Sequence, residues 1–384
     1  MKKLSIAAFI IICTTTLFAQ QEMNLHLMRG LWQANRTNPA ILPTNKITIG
    51  LPNIYNRLYI TGATYDDLVS EDENGEPTLT VDVAIAELEA DNDIRESLQL
   101  ETLSFGIQLG DFHASIYHAL KFDAYINYPQ TLPQLIWQGN AQFIGQEIDI
   151  SHDLQISGYN EIGLGLGYQL APNVTVGGRI KFLSGLGDAS TKRNQLAVYT
   201  DEETYQLQMT ADYLLNSSNF VCYNSLRDLE LDFNLGEFGM EGFFSENFGL
   251  AFDLGARFQT EKWDFTLSAI DLGSIDWNSN AGNYAINGVY EYTGLDIARD
   301  FLEDERTLDN ALDTLEQIFA IDETRNSYST RLPAKFYLSA SYQLHPRWRL
   351  GGAIYTESYR ERSFPGVAVR AQYQLRPMFS VGGS

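Results

Sequence analysis

From Glu161 onward the chain alternates. Ile162, Leu164, Leu166, Tyr168 and Leu170 are apolar, and Glu161, Gly163, Gly165, Gly167 and Gln169 between them are small or polar. After Pro172-Asn173 the alternation resumes, with Val174, Val176, Ile180 and Phe182 set against Thr175, Gly177, Arg179 and Lys181. A period of two is that of a strand, not a helix, and it gives each strand one apolar and one polar side. The proline fixes a tight turn, so the unit reads as a hairpin. Its central phrase, YQLAPNVTVGG at 168–178, returns as YQLHPRWRLGG at 342–352 and as YQLRPMFSVGG at 373–383. The same alternation marks Leu103–Leu109 with the run after Phe112, and Phe248–Phe258 with Trp263–Leu267.

A soluble sandwich also alternates, so the start of the chain carries weight. Lys2 and Lys3, the apolar run Leu4–Phe18 and Ala19 read as a signal peptide over residues 1–19. Cys13 lies inside the apolar run rather than at its end, which does not fit a lipid anchor. Beyond the signal no apolar run reaches the ~20 residues that a membrane helix needs. A membrane-integral chain of this kind must then be a closed barrel, because lipid satisfies no backbone hydrogen bonds. The predicted fold is all-β, a transmembrane antiparallel β-barrel over 46–384, of about 12 to 14 strands when complete. Short turns alternate with long connections, which places the long pieces 184–247 and 271–334 on the extracellular side.

The first long piece holds an expected hairpin extension around Asp201-Glu-Glu203. The second carries Ile297, Phe301, Leu308, Leu312, Leu315, Ile318 and Phe319 near helical spacing, read as short helices forming a packed lid over 293–330. At the other end, residues 20–45 form an expected plug. Leu25, Met28, Leu31 and Trp32 make an apolar stripe, and Asn38, Pro39 and Ala40, then Pro43, stop it. Such a stripe is a liability if left exposed, so the segment is expected in or against the barrel mouth, docked by Leu31 and Trp32.

Composition narrows the chemistry. With 21 Tyr, 21 Phe and 30 Gly, the chain has aromatics for barrel interfaces and small residues for an inward face. Losing Lys2 and Lys3 moves the formal charge from −23 to −25, which argues against nucleic acid as a partner. Only Cys222 remains after signal removal, so the mature chain has no internal disulfide. His113 and His118 have opposite parity and make poor joint ligands. His113 and Ser115 share a face, but no acid is placed to orient them, so no catalytic residue is assigned and no enzyme is expected. The loop around Asp72, Asn74 and Gly75 lacks the first and last acids of a calcium loop. No metal or cofactor is expected. The predicted inward faces carry Arg179, Lys181, Arg257, Lys335, Arg347, Arg349 and Arg370 with Glu161, Asp253 and Asp264. This is a network that stiffens a polar lumen, or a passage that attracts anions.

Several blocks together carry a resemblance: TNPAILPTNKITIGLP, NYPQTLPQLIWQGNAQFIGQEIDIS at 127–151, GYNEIGLGLGYQL, AIDLGSIDW and STRLPAKFYLSASYQL. They resemble a widespread domain of unknown function of Gram-negative bacteria whose members are predicted outer-membrane barrels. The likeness spans nearly all of the mature chain. It implies fold and location in the cell outer membrane, and no catalytic residues. The Asn-Pro-Ala element is also similar to barrel proteins associated with type IX secretion, over a much shorter stretch. Members of the first family continue with further strands where this sequence ends in MFSVGGS, so closing strands are expected beyond it. Two functions stay open. One is a porin-like gated passage for an apolar or small polar compound, with lipid or a small molecule as ligand. The other is an interaction barrel that docks a secretion or surface protein.

Overall fold

The computed structural model describes residues 25–28, 31–43, 45–71, 76–223, 229–231, 245–292, 321–360, 362–376 and 379–383. The wall is one curled antiparallel sheet. Its first strand is broken into β1 (Ile47–Gly50) and β2 (Asn53–Ile60). Then come β3 (Asp91–Leu109), β4 (Phe112–Pro129), β5 (Asp153–Ala171) and β6 (Val174–Thr200). Next are β7 (Leu207–Ser218), β8 (Phe248–Gln259), β9 (Trp263–Trp277) and β10 (Ala281–Tyr292). The last are β11 (Ala334–His345), β12 (Trp348–Tyr359), β13 (Arg362–Arg376) and β14 (Phe379–Gly383). Around the wall the order is β1 with β2, β3, β4, β5, β6, β8, β9, β11, β12, β13, β14.

Burial is inverted relative to a water-soluble protein. Leu166, Ile180, Phe252, Leu267, Leu338 and Val369 are exposed on the outer face. Ser97, Glu161, Arg179, Asp253, Thr266 and Ser341 are buried on the inner one. That is the face pattern of a membrane β-barrel, lipid outside and a polar lumen inside.

Residues read as long connections include long strands. β6 runs on past Ser184 to Thr200, and its upper half pairs with β7, which pairs with β10. The turn between β6 and β7 is held by Asp201, whose carboxylate accepts hydrogen bonds from the backbone of Glu203 and Thr204. A small apolar cluster of Tyr159, Leu183, Ile275, Trp277 and Leu332 packs inside this upper region. Of the expected lid, 293–320 lies outside the described residues. Asp322–Thr324 and Tyr328–Arg331 are strands rather than helix, because they complete the ladders of β10 and β9. Residues 1–19, expected as a signal peptide, and the loop 72–75 also lie outside the described residues.

Two bulges set which side chains enter the lumen. On β3, Thr102 has no partner on β4, since Glu101 pairs with Ala119 and Leu103 with His118. The opposite neighbour is interrupted at the same level, where Leu51-Pro52 separates β1 from β2, and proline supplies no ladder donor. On β9, Ile270 and Asp271 together oppose Asp253, and Asp271 adopts a φ of 59°. A bulge of this kind re-aims a side chain. Here it turns Asp271 inward, and its backbone N–H donates to Asp253 Oδ1 at 2.9 Å.

Candidate functional site

Residues 25–28 and 31–43 lie in the lumen and are held by several strands of the wall. His26 is fully buried, stacks on Tyr337 with ring centroids 4.8 Å apart, and is hydrogen-bonded to Thr266 Oγ1 at 2.8 Å and to Thr37 Oγ1 at 2.9 Å. Trp32 begins a short 3-10 turn, Trp32–Arg36. Its Nε1 donates to Ser104 Oγ at 2.8 Å, and its ring meets His113 edge-on. Arg36 donates to Glu101 Oε2 at 2.7 Å, and its guanidinium lies 3.5 Å from the centre of the Tyr117 ring. Asn38 donates to the carbonyls of Ala256 and Leu267, while its own Oδ1 accepts from Ala40 N at 2.8 Å.

The wall makes room for this segment with glycine. Gly167, Gly177 and Gly255 lie in register on β5, β6 and β8. A Cβ on Gly177 would stand 2.4 Å from the Pro39 carbonyl, one on Gly255 2.1 Å from Asn38 Oδ1, and one on Gly167 2.3 Å from Leu42. The three form a shelf on which residues 38–42 rest, with the Pro39–Ala40 backbone against Gly177 and the side chains of Asn38 and Leu42 against Gly255 and Gly167.

Above this level is the charge cluster. Arg179 and Asp253, with fully buried side chains, pair at 2.7 Å, and Arg179 Nη2 also donates to the Asn35 side chain at 2.6 Å. Lys181 reaches Asp253 at 2.9 Å and Asp271 at 2.5 Å, and Lys121 reaches Glu161 at 2.8 Å. Tyr117 donates a short hydrogen bond to Glu161. Pairing of this density lets buried charge persist, since each carboxylate meets cations and donors. Arg257 and Asp264 form a separate pair lower in the lumen, joined by two near-parallel hydrogen bonds of 3.0 and 2.9 Å.

A cavity of about 370 Å³ lies between residues 25–37 and the cluster. Leu25, Met28, Ile270 and Tyr337 give it an apolar side, and Lys121, Lys181, Lys335, Glu161 and Asp271 a charged one.

The structure therefore joins Glu161, Arg179, Lys181 and Asp253 in one cluster, with Lys335 lining the same cavity. Arg347 does not belong to it. It is exposed at the β11–β12 turn, because the Pro346 turn ends the strand there. Arg349 and Arg370 are also outside it: Arg349 bonds Gln343 at 2.9 Å, and Arg370 pairs in register with Gly351. Leu31 is 46% exposed. The 3-10 turn points Trp32 at the wall, and Leu27 supplies the buried leucine. Trp32, Asn38 and Ala40 are buried, and Pro39 sits against Gly177. Sequence reading missed Lys121, Asp271, Glu101 and Arg36. Lys121 shares the inward parity of Tyr117 and Asp123 and was there to be found. Among the described residues no group of three or more His, Cys, Asp or Glu is placed to hold a metal ion.

Solved structures with some likeness to this fold include the Ralstonia pickettii toluene transporter TbuX, at 9% identity and a TM-score of 0.35 over 87% of this chain and 70% of that one. The Pseudomonas putida toluene transporter TodX matches at 13% identity and a TM-score of 0.34, over 90% and 84%. At this level nothing about function passes from those proteins to this one. No curated protein matches the chain. The chain belongs to DUF5723, a family of unknown function, whose profile matches residues 39–384.

Proposed function

We propose that this member of a family without an assigned activity is an outer-membrane passage of a Gram-negative bacterium, exported through residues 1–19, that carries an apolar or small polar compound. Residues 25–43 act as its plug and gate. The carrying observation is the cavity of about 370 Å³ held between that segment and the wall. Its size and mixed lining suit a small ligand with one apolar side. The segment is held in the lumen by hydrogen bonds and packing, so it can leave while the wall ladders stay intact. The role is non-enzymatic: the charged groups around the cavity are paired with one another, as in a lumen built to keep its shape.

The test is solvent extraction and mass spectrometry of the full-length protein purified from its membrane, beside the variant Ile270→Trp, which fills the cavity from a buried lining position. The expected result is a small apolar compound, near one per chain, that is lost in Ile270→Trp. A co-purifying protein with no small molecule in either sample would instead assign the barrel to docking a secretion or surface partner.

A further inference from the structure

The end of the lumen away from the N-terminal segment is crossed by a second set of contacts. β12 ends at Tyr359 and β13 begins at Arg362, and these two residues pair. The ladder neighbours of this hairpin are β11 and β14. Its side chains nevertheless bond to β2, β3, β4, β5 and β6. Glu357 accepts from Arg57 at 2.9 Å and from Arg95 at 2.5 Å. The Tyr359 ring meets Tyr125 edge-on, with the Arg95 guanidinium 4.8 Å from its centre. Arg360 donates to Asp153 Oδ2 at 2.7 Å, to Gln155 Oε1 at 2.8 Å and to the Thr191 carbonyl. Arg362 donates to Asn127 Oδ1 at 3.0 Å and pairs with Asp91 at 2.9 Å.

On β3, β4 and β5 these partners lie at the strand ends opposite the tight turns at 110–111 and 172–173, and Thr191 of β6 stands beside them, accepting from Leu154 N at 3.0 Å and donating to Asp153, so the contacts span the lumen at one level. Arg360 adopts a φ of 48°, the left-handed conformation that a two-residue hairpin turn calls for at its first central position. The guanidinium is held by a carboxylate, an amide and a carbonyl, which is a specific seat rather than a loose surface pairing.

We propose that this hairpin tip is a second closure, an extracellular clasp. Arg360 and Arg362 tie it across the mouth of the lumen and shut the cavity from outside, independently of the N-terminal segment. The inference rests on the passage reading. It makes the cavity an occluded compartment with two doors in series, so that neither door opened alone gives a through path.

The experiment is ion conductance of the reconstituted full-length protein in planar bilayers, for the wild type and four variants: deletion of 22–36, Arg360→Glu with Arg362→Glu, the two combined, and the charge swap Arg360→Glu with Asp153→Arg added to the deletion. A shift in gel mobility on boiling verifies that each is folded. Either closure removed alone should raise conductance by no more than about two-fold, the limit for equal resistances in series, and the combination by about ten-fold or more. The charge swap should stay near the deletion alone, because the Arg–Asp attraction is rebuilt. If the deletion alone conducts as well as the combination, the clasp closes nothing and the inference falls while the passage stands. If the folded combination does not conduct, the passage reading fails, and the clasp with it.

Discussion

Adjacent glycines on β6 should behave in opposite ways when given a side chain. Gly177 faces the lumen, where a Cβ would stand 2.4 Å from both C and O of Pro39 and 2.7 Å from Ala40 N. Gly178 faces outward, and its nearest neighbours would be 3.7 and 3.9 Å away. The β6 backbone cannot yield, being paired at Gly167 on one side and Gly255 on the other. With Gly177→Val the N-terminal segment must therefore move by about an ångström, at an overpacking cost of about 1–3 kcal/mol. A loss of one or two kcal/mol raises the fraction of molecules with the segment released by about 5- to 30-fold. Ala34, fully buried in that segment, reports the release when replaced by Cys in a Cys222→Ser background. The rate of thiol labelling should rise by that factor in Gly177→Val and stay unchanged in Gly178→Val. Equal rates in the two folded variants would refute the idea that the glycine shelf seats the segment.

Arg179→Met should lower the temperature at which the folded gel band is lost. It removes one of the two cations on Asp253 while Lys181 stays, at about 1.5–3 kcal/mol for the lost charged hydrogen bonds; adding Asp253→Leu should recover little, because Asp253 is also the partner of Lys181 and the acceptor for Asp271 N. Protease added to intact cells should spare the turns at Pro172 and Pro346 and cut beyond the upper strand ends; cleavage at either turn would invert the orientation given to the wall.

The wall was legible in the sequence because its physics is local. Alternation at Ile162–Leu170 and Val174–Phe182 fixes which face each residue takes, and the Pro172 and Pro346 turns fix where strands reverse. What parity alone could not show is where it breaks. Counting down β3 from Ser104 and Gly106, both inward, places Glu101 on the lipid face. The unpaired Thr102 shifts the count by one and brings Glu101 inside to meet Arg36. Asp271 was hidden by the same kind of event, since a two-against-one bulge with a positive φ leaves no periodic trace. The contacts of residues 25–43 are long-range pairings such as His26 with Thr266, which no local pattern encodes. Leu31 and Trp32 looked alike as apolar residues, and only the 3-10 turn separates their directions.

β6 is 27 residues long. At about 3.3 Å per residue it measures about 90 Å along its axis. Tilted by about 40°, it still rises nearly 70 Å, against an apolar band of about 25 Å. In the proposed orientation, the hairpin it forms with β7 stands some tens of ångströms clear of the lipid headgroups, with Asp201, Glu202 and Glu203 at its summit. In that orientation a mast of this height would carry its acidic tip well beyond the plane of the headgroups. Antibodies, phage and neighbouring cells would then meet this turn before they meet the membrane that anchors it.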